Sequence, residues 1–239
     1  MTLSGSFYAS GVHGPMALAS APFLYSDLDH WRRFRDSDLY GGILAEYEGL
    51  SGNQVLGLMY YGARHLTANR EITSPEDMDG LKLRVPNAPM YLLFPRSVNA
   101  NATPIDFAEV YLALQQGVVD AQENPLPTIQ AKKFHEVQTD INLTGHITDA
   151  LLTIIGGPTW GGMDEADRDA LIGVLQEAAV CATDQIIDLE NELAAWFKEQ
   201  GNNVNEVDRG PFIEAVRAVH NGEMATWDQA TYDALQAIQ

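Results

Sequence analysis

Positive charge, sulfur and long apolar runs are all scarce in this chain. Its 239 residues hold four lysines and ten arginines against 33 acidic side chains, a formal net charge of -19. A field of that sign repels phosphate backbones and anionic headgroups, which excludes nucleic-acid binding and membrane-surface adhesion as principal functions. The one cysteine, Cys181, has no partner for an internal disulfide, and in "EAAVCATD" it reads as a small apolar residue on a helix face. Unbroken apolar runs such as "LLTIIGG" stop well short of the about 18 residues a bilayer-crossing helix requires, so no direct membrane insertion is expected. The opening "MTLSGSFYASGVHGP" has neither the basic segment nor the apolar centre of a secretory leader.

Catalytic signatures are equally scarce. There is no G-x-S-x-G elbow, no H-E-x-x-H and no C-x-x-C pair, and "GGPTWGGMD" lacks the G-K-[ST] ending of a phosphate loop. In "SPEDMDG" a calcium-loop register anchored on Gly80 would put Pro75 and Pro86 at ligand positions, and proline side chains cannot coordinate. The six histidines are scattered, none at metal-ligand spacing from another His or a Cys. No catalytic residue, metal or cofactor is therefore expected. Asn101 in "NAT" and Asn142 in "NLT" fit the glycosylation triplet but read as plain loop residues.

What is present is a core and a pattern. With 46% hydrophobic and 20% charged residues the chain can bury one large domain or two small ones. Short apolar stretches at 53–62, 81–85, 117–121 and 151–156 read as buried strands. Between them, "DFAEVYLALQQG" has helical spacing, Asp106 as cap and Gly117 as stop, and "SPEDMDG" makes a one-turn helix capped by Ser74. This alternation predicts an α/β fold with mixed sheets flanked by helices. From 164 to 200 one apolar face runs without proline, roughly 50 Å of helix at 1.5 Å per residue, longer than one small domain is wide. It should bridge two lobes or bend; a coiled-coil dimer is the alternative.

One constellation carries chemistry. In "LKLRVP", period-two alternation separates Leu81, Leu83 and Val85 from Lys82 and Arg84, and puts Arg84 near the carboxyl end of its strand, where open α/β sheets bind ligands. Arg64 in "YYGARHLT" follows another apolar strand and a glycine. Two guanidiniums at such ends suggest an anion site, although a surface salt bridge is the usual fate of an arginine. In "LQQGVVDAQENP" an apolar strand ends abruptly in polar residues, which suggests an end facing a ligand. Asn124, directly before Pro125, suits a helix N-cap whose amide could point outward at an anion.

Three segments, "DGLKLRVP", "TPIDFAEVYLALQQGVVDAQENPLPTI" and "KFHEVQTDINLTGH", resemble in order and spacing the solute-binding proteins of tripartite ATP-independent periplasmic (TRAP) transporters. The resemblance runs from "APFLYSD" through "GARHLTANREITSPEDMDG" to the long helix. It implies a two-lobed periplasmic-binding-protein-like fold, with 1–61 and 150–189 in lobe I and 62–149 and 190–239 in lobe II. It also implies capture of a small organic acid by lobe closure, a periplasmic location and membrane subunits of a TRAP transporter as partners. On that resemblance Arg84 pairs with the ligand carboxylate, Arg64 and Asn124 help hold it, Phe107 packs on the ligand, and His146 joins the surrounding polar network. Two departures stand out. The family carries a signal peptide and about sixty further residues of the first lobe before the segment where this chain opens, and Pro95 should end a helix early. Two rival readings are an α/β enzyme using His13, His65 or His146 with a carboxylate as acid/base pair, and a non-binding remnant with an exposed sheet edge.

Overall fold

A computed structural model describes residues 1–238, and the chain divides into two compact units. The first gathers residues 1–61, 148–186 and the segment from Thr226 onward; the second gathers 62–147 and 187–225. Two strands, β2 (Gln54–Ala68) and β6 (Asp140–Ile155), contribute to both units, as does the helix α8 (Glu165–Glu199).

In the first unit β1 (Thr2–Gly5) pairs antiparallel with the end of β6, Thr2 opposite Ile154 and Gly5 opposite Leu151. A one-turn helix α1 (Ser6–Ala9) follows, then α2 (Leu28–Arg35) and α3 (Asp38–Ser51). Both longer helices start on side-chain caps: Asp27 accepts from the His30 amide at 2.7 Å and Ser37 from the Tyr40 amide at 3.2 Å. Trp31 of α2 is fully buried, and its indole donates to the Ala19 carbonyl at 3.0 Å, so the large ring has its polar atom satisfied. The short helix α7 (Gly157–Gly161) leads from β6 toward α8, and α10 (Gln229–Gln236) lies near the end of the chain.

The last segment departs from the expected division, which assigned 190–239 to lobe II. The single buried apolar side chain of α10, Leu235, needs cover, and the first unit supplies it. Thr226 donates to the Gly14 carbonyl at 2.8 Å and Gln236 to the Leu24 carbonyl at 3.0 Å, binding both ends of the segment there.

The second unit is built on β3 (Lys82–Val85), α4 (Leu93–Ser97), β4 (Asn101–Pro104), α5 (Val110–Gln115), β5 (Ala121–Pro125), α6 (Leu126–Ala131), β7 (Asn203–Glu206) and α9 (Gly210–Arg217). β3 runs parallel to both β4 and β5, β5 is antiparallel to β2, β2 neighbours β6, and β7 is parallel to β6. Val110 and Leu114 of α5, Ile129 of α6, Phe134, and Leu193 and Phe197 of α8 pack together with Ile141 of β6 in one core cluster. The helical spacing of 107–114 buries Val110 and Leu114 as predicted, but Phe107, in a first turn (Phe107–Glu109) that is 3-10 rather than α, stays exposed and Tyr111 is only half-buried.

Three expectations change. Residues 117–120 form the turn after α5, and the strand is the polar stretch Ala121–Pro125, whose five residues are all buried. Valine content misled there, because "GVV" bends at Gly117 and the ladder begins only where β3 can pair. Asn142 is no loop residue: it is fully buried inside β6, where its Oδ1 accepts from the Ile72 amide at 2.9 Å and from Asn205 at 2.9 Å. In α8 one 18-residue stretch averages 1.3 in hydropathy, so by length and composition alone it could cross a bilayer, which a search for unbroken runs misses.

Candidate ligand-binding site

The polar strand β5 is the spine of the site. Pairing with β2 sets Glu123 opposite Leu66 and Asn124 opposite His65, and pairing with β3 sets Gln122 opposite Arg84. Arg84 is 1% exposed, so it is not the surface arginine of the commoner reading. Its guanidinium donates to the Ile105 carbonyl through Nε at 2.9 Å and Nη2 at 2.6 Å, which fixes the plane of the fork. Its Cζ lies 5.9 Å from the ring of Phe107, and Lys132 places Nζ 5.2 Å from that ring. Phe107 meets Phe134 edge-on yet stays 41% exposed, an apolar platform left partly open rather than a core side chain.

Arg64 is buried as well, and its partner is a residue to which sequence reasoning assigned no role. Glu123 receives Nε of Arg64 on one carboxylate oxygen and Nη2 on the other at 2.8 Å, and the Glu123 carbonyl accepts Nη2 at 2.7 Å. The same Nη2 reaches Asn124 Oδ1 at 3.2 Å, and the Tyr91 ring lies 5.1 Å from Cζ. A carboxylate in a buried strand needs a cation nearby, and the burial of 121–125 became visible only in the structure. Burial opposes the charge on Glu123, but Arg64 and His146 outweigh it and hold the carboxyl below its usual range.

His146 completes this group. It is fully buried, stacks on Phe94 with ring centroids 4.0 Å apart, and places Nε2 3.3 Å from Glu123 Oε2. An ionised carboxylate only accepts, so Nε2 carries the proton and Nδ1 accepts from Thr144 Oγ1 at 2.8 Å. Burial, reinforced by Arg64 and Arg209, lowers the imidazole pKa despite the pull of Glu123, and the ring is neutral.

Asn124 caps no helix. α6 starts after Pro125 without a side-chain cap, and the Asn124 amide instead donates to Gln122 Oε1 at 2.6 Å while its oxygen accepts from Arg64. Gln122 in turn donates to Thr67 Oγ1 at 3.0 Å. The structure thus joins Arg64, Asn124 and His146 in one hydrogen-bonded group, and brings Arg84 together with Phe107; Gln122, opposite Arg84 and bonded to Asn124, links the two.

A model of the bacterial extracellular solute-binding proteins, family 7, matches residues 1–226. The chain belongs to that family. It is 40% identical over 199 residues to the sialic acid-binding periplasmic protein SiaP of Vibrio cholerae, which covers 83% of this chain and 62% of that protein. With the 2,3-diketo-L-gulonate-binding periplasmic protein YiaO of Escherichia coli the identity is 33% over 218 residues, 90% of this chain and 66% of that one. The chain therefore spans just under two thirds of the length of these curated relatives. Among solved structures, a TRAP periplasmic solute-binding protein of Roseobacter denitrificans with bound L-galactonate superposes with a TM-score of 0.88 at 28% identity, covering all of this chain and 78% of that one. A second from the same organism, with bound 3-deoxy-D-manno-oct-2-ulosonic acid, gives 0.93 at 26%, covering 99% and 80%. The family 7 fold is two-lobed and α/β, and its members are extracytoplasmic solute-binding proteins of transporters.

Proposed function

We propose that this family 7 chain captures a small organic acid through the carboxylate, with Arg84 as the principal partner and Arg64, Asn124, Phe107 and His146 around it. The observation that carries the reading is the state of Arg84: a guanidinium with 1% exposure whose plane is set by the neutral Ile105 carbonyl beneath a half-open aromatic ring. The Ile105 carbonyl takes the Nε–Nη2 edge, and the acid is expected at the Nη1–Nη2 end, where a planar fork meets both carboxylate oxygens. Phe107 offers the apolar face on which a carbon skeleton packs. Acids in the related solved structures support the same ligand class. One charge-assisted hydrogen bond contributes about 1.5 to 3 kcal/mol, so two or three with ligand burial reach the roughly 8 kcal/mol of micromolar affinity. Delivery to the membrane subunits of a TRAP transporter in the periplasm follows on this reading.

No bond is made or broken in the proposed cycle. His146 has a carboxylate beside it, as an acid/base pair would, but both ring nitrogens are engaged and the pair is sealed under Phe94. The test is isothermal titration calorimetry against C4-dicarboxylates, sugar acids, 2-oxo acids and N-acylated amino acids. Saturable heat that disappears in Arg84→Ala, with the acid recovered unchanged, is expected. Product formation would establish an enzyme instead, and silence across the panel would overturn acid binding by this chain.

A further inference from the structure

We propose that His65 and Arg209 are positioning residues: they hold the backbone N–H and C=O of Gly145, one in each of the two peptide groups that flank it, and so seat His146 against Glu123, which holds the Arg64 fork. The Gly145 amide donates to His65 Nδ1 at 3.0 Å, and the Gly145 carbonyl accepts Nη2 of Arg209 at 3.0 Å. Gly145 has φ +50 in the interior of β6, a left-handed conformation that strands do not ordinarily hold. An irregular residue there needs partners beyond the ladder, and the two side chains supply them. Their packing is close: a Cβ on Gly145 would lie 3.6 Å from both His65 Cε1 and Arg209 Cζ.

The residues on either side of Gly145 are the ones that do the seating. Thr144 supplies the hydroxyl that His146 Nδ1 accepts, and His146 begins the chain His146–Glu123–Arg64–Asn124. A rotation at Gly145 would move Thr144 and His146 relative to each other and loosen both contacts of the imidazole. His65 can accept the amide only while Nδ1 is unprotonated. Burial, with His146 and Arg209 close by, pushes its pKa down to about 3, so that state persists at neutral and mildly acidic pH. Arg209 adds a cation near two neutral imidazoles, which keeps a second proton off His146 as well.

This inference rests on the carboxylate-binding reading above for its consequence and not for its first measurement. In the ligand-free protein, nitrogen-edited NMR of the imidazoles should show His146 as a neutral Nε2–H tautomer at neutral pH, with protonation only below the range of an ordinary histidine. In Arg209→Met and His65→Leu that signal should become a tautomer mixture that titrates closer to an ordinary histidine. Arg209→Lys and His65→Gln, which keep a donor and an acceptor for the Gly145 backbone, should restore it. Affinity for whichever acid the calorimetry identifies should fall about 10-fold in Arg209→Met and in His65→Leu, through faster release, and by under about 3-fold in the conservative pair. An unchanged His146 signal in both disruptive variants overturns the proposal. So does an affinity loss with the His146 signal intact, since Arg209 would then be touching the ligand itself. A wild-type protein silent toward every acid refutes the binding reading alone, because the imidazole signals still decide the positioning role.

Discussion

Arg64 and Glu123, 59 residues apart in the chain, form an ion pair with side-chain exposures of 3% and 2%. Register explains it. Arg64 stands opposite Pro125 and Leu66 opposite Glu123, so the arginine reaches diagonally across one strand to the carboxylate. The pair holds one cation rigid beside Asn124 while a second cation, Arg84, is oriented by a backbone carbonyl.

Glu123→Gln tests what the pair contributes to the fold. Removing one charge leaves Arg64 buried against a neutral amide, and the expected loss is about 3 kcal/mol of stability. Urea unfolding followed by circular dichroism measures it; a midpoint equal to wild type would show that Arg64 finds another anion.

Arg84→Lys keeps the charge and loses the planar fork. Binding should weaken about 100-fold, the cost of the one charge-assisted contact that an ammonium does not reproduce, while the protein still folds. Calorimetry beside a thermal melt separates the two effects, and a lysine variant of wild-type affinity would remove bidentate recognition from the account.

Phe107→Ala should act on ligand and hardly on fold. Because the ring is 41% exposed, stability should change by under about 1 kcal/mol, while affinity drops about 5- to 10-fold with the lost platform. Equal effects on both would make the ring a core residue.

Acid should destabilise the second unit before its surface carboxylates titrate. His65 has its pKa pushed from 6.5 to about 3 and His146 is also lowered, so below pH 6.5 the unfolded chain binds protons that the folded chain refuses. Glu123 acts in the same direction: its contribution is present above 4.5 and is lost as pH falls through its lowered folded value. Stability should therefore fall as pH drops below 6.5, with a slope through His65 that approaches about 1.4 kcal/mol per pH unit and His146 adding in the same direction. Urea midpoints between pH 8 and 4 check this, and His65→Gln should flatten the slope by one proton.

Gly62→Ala probes the approach of β5 to β2 just ahead of Arg64. Gly62 has φ +126, and a Cβ there would sit 2.6 Å from Cβ of Pro125 and 3.0 Å from Glu190 Oε1. Strain and displacement together should cost about 2 kcal/mol and weaken acid binding through Arg64. A variant as stable as wild type would mean that Pro125 moves freely.

Local rules carried the reading of the chain a long way. Alternation of apolar and polar residues, glycine stops and the proline-free stretch after 164 all act over a few residues, and they led to an α/β fold with one long helix, which the structure contains as Glu165–Glu199. The same local chemistry singled out Arg84 and Arg64 as worth following. It failed where pairing partners decide the outcome. Nothing near Val118 and Val119 says that the ladder starts at Ala121, because that depends on where β3 lies, and nothing near Asn124 says that its amide goes to Gln122 and Arg64 instead of a helix end. Glu123, His65 and Arg209 entered the site only once strands distant in sequence were laid side by side, since hydrogen bonds and charge pairs between them depend on register, which no single segment encodes.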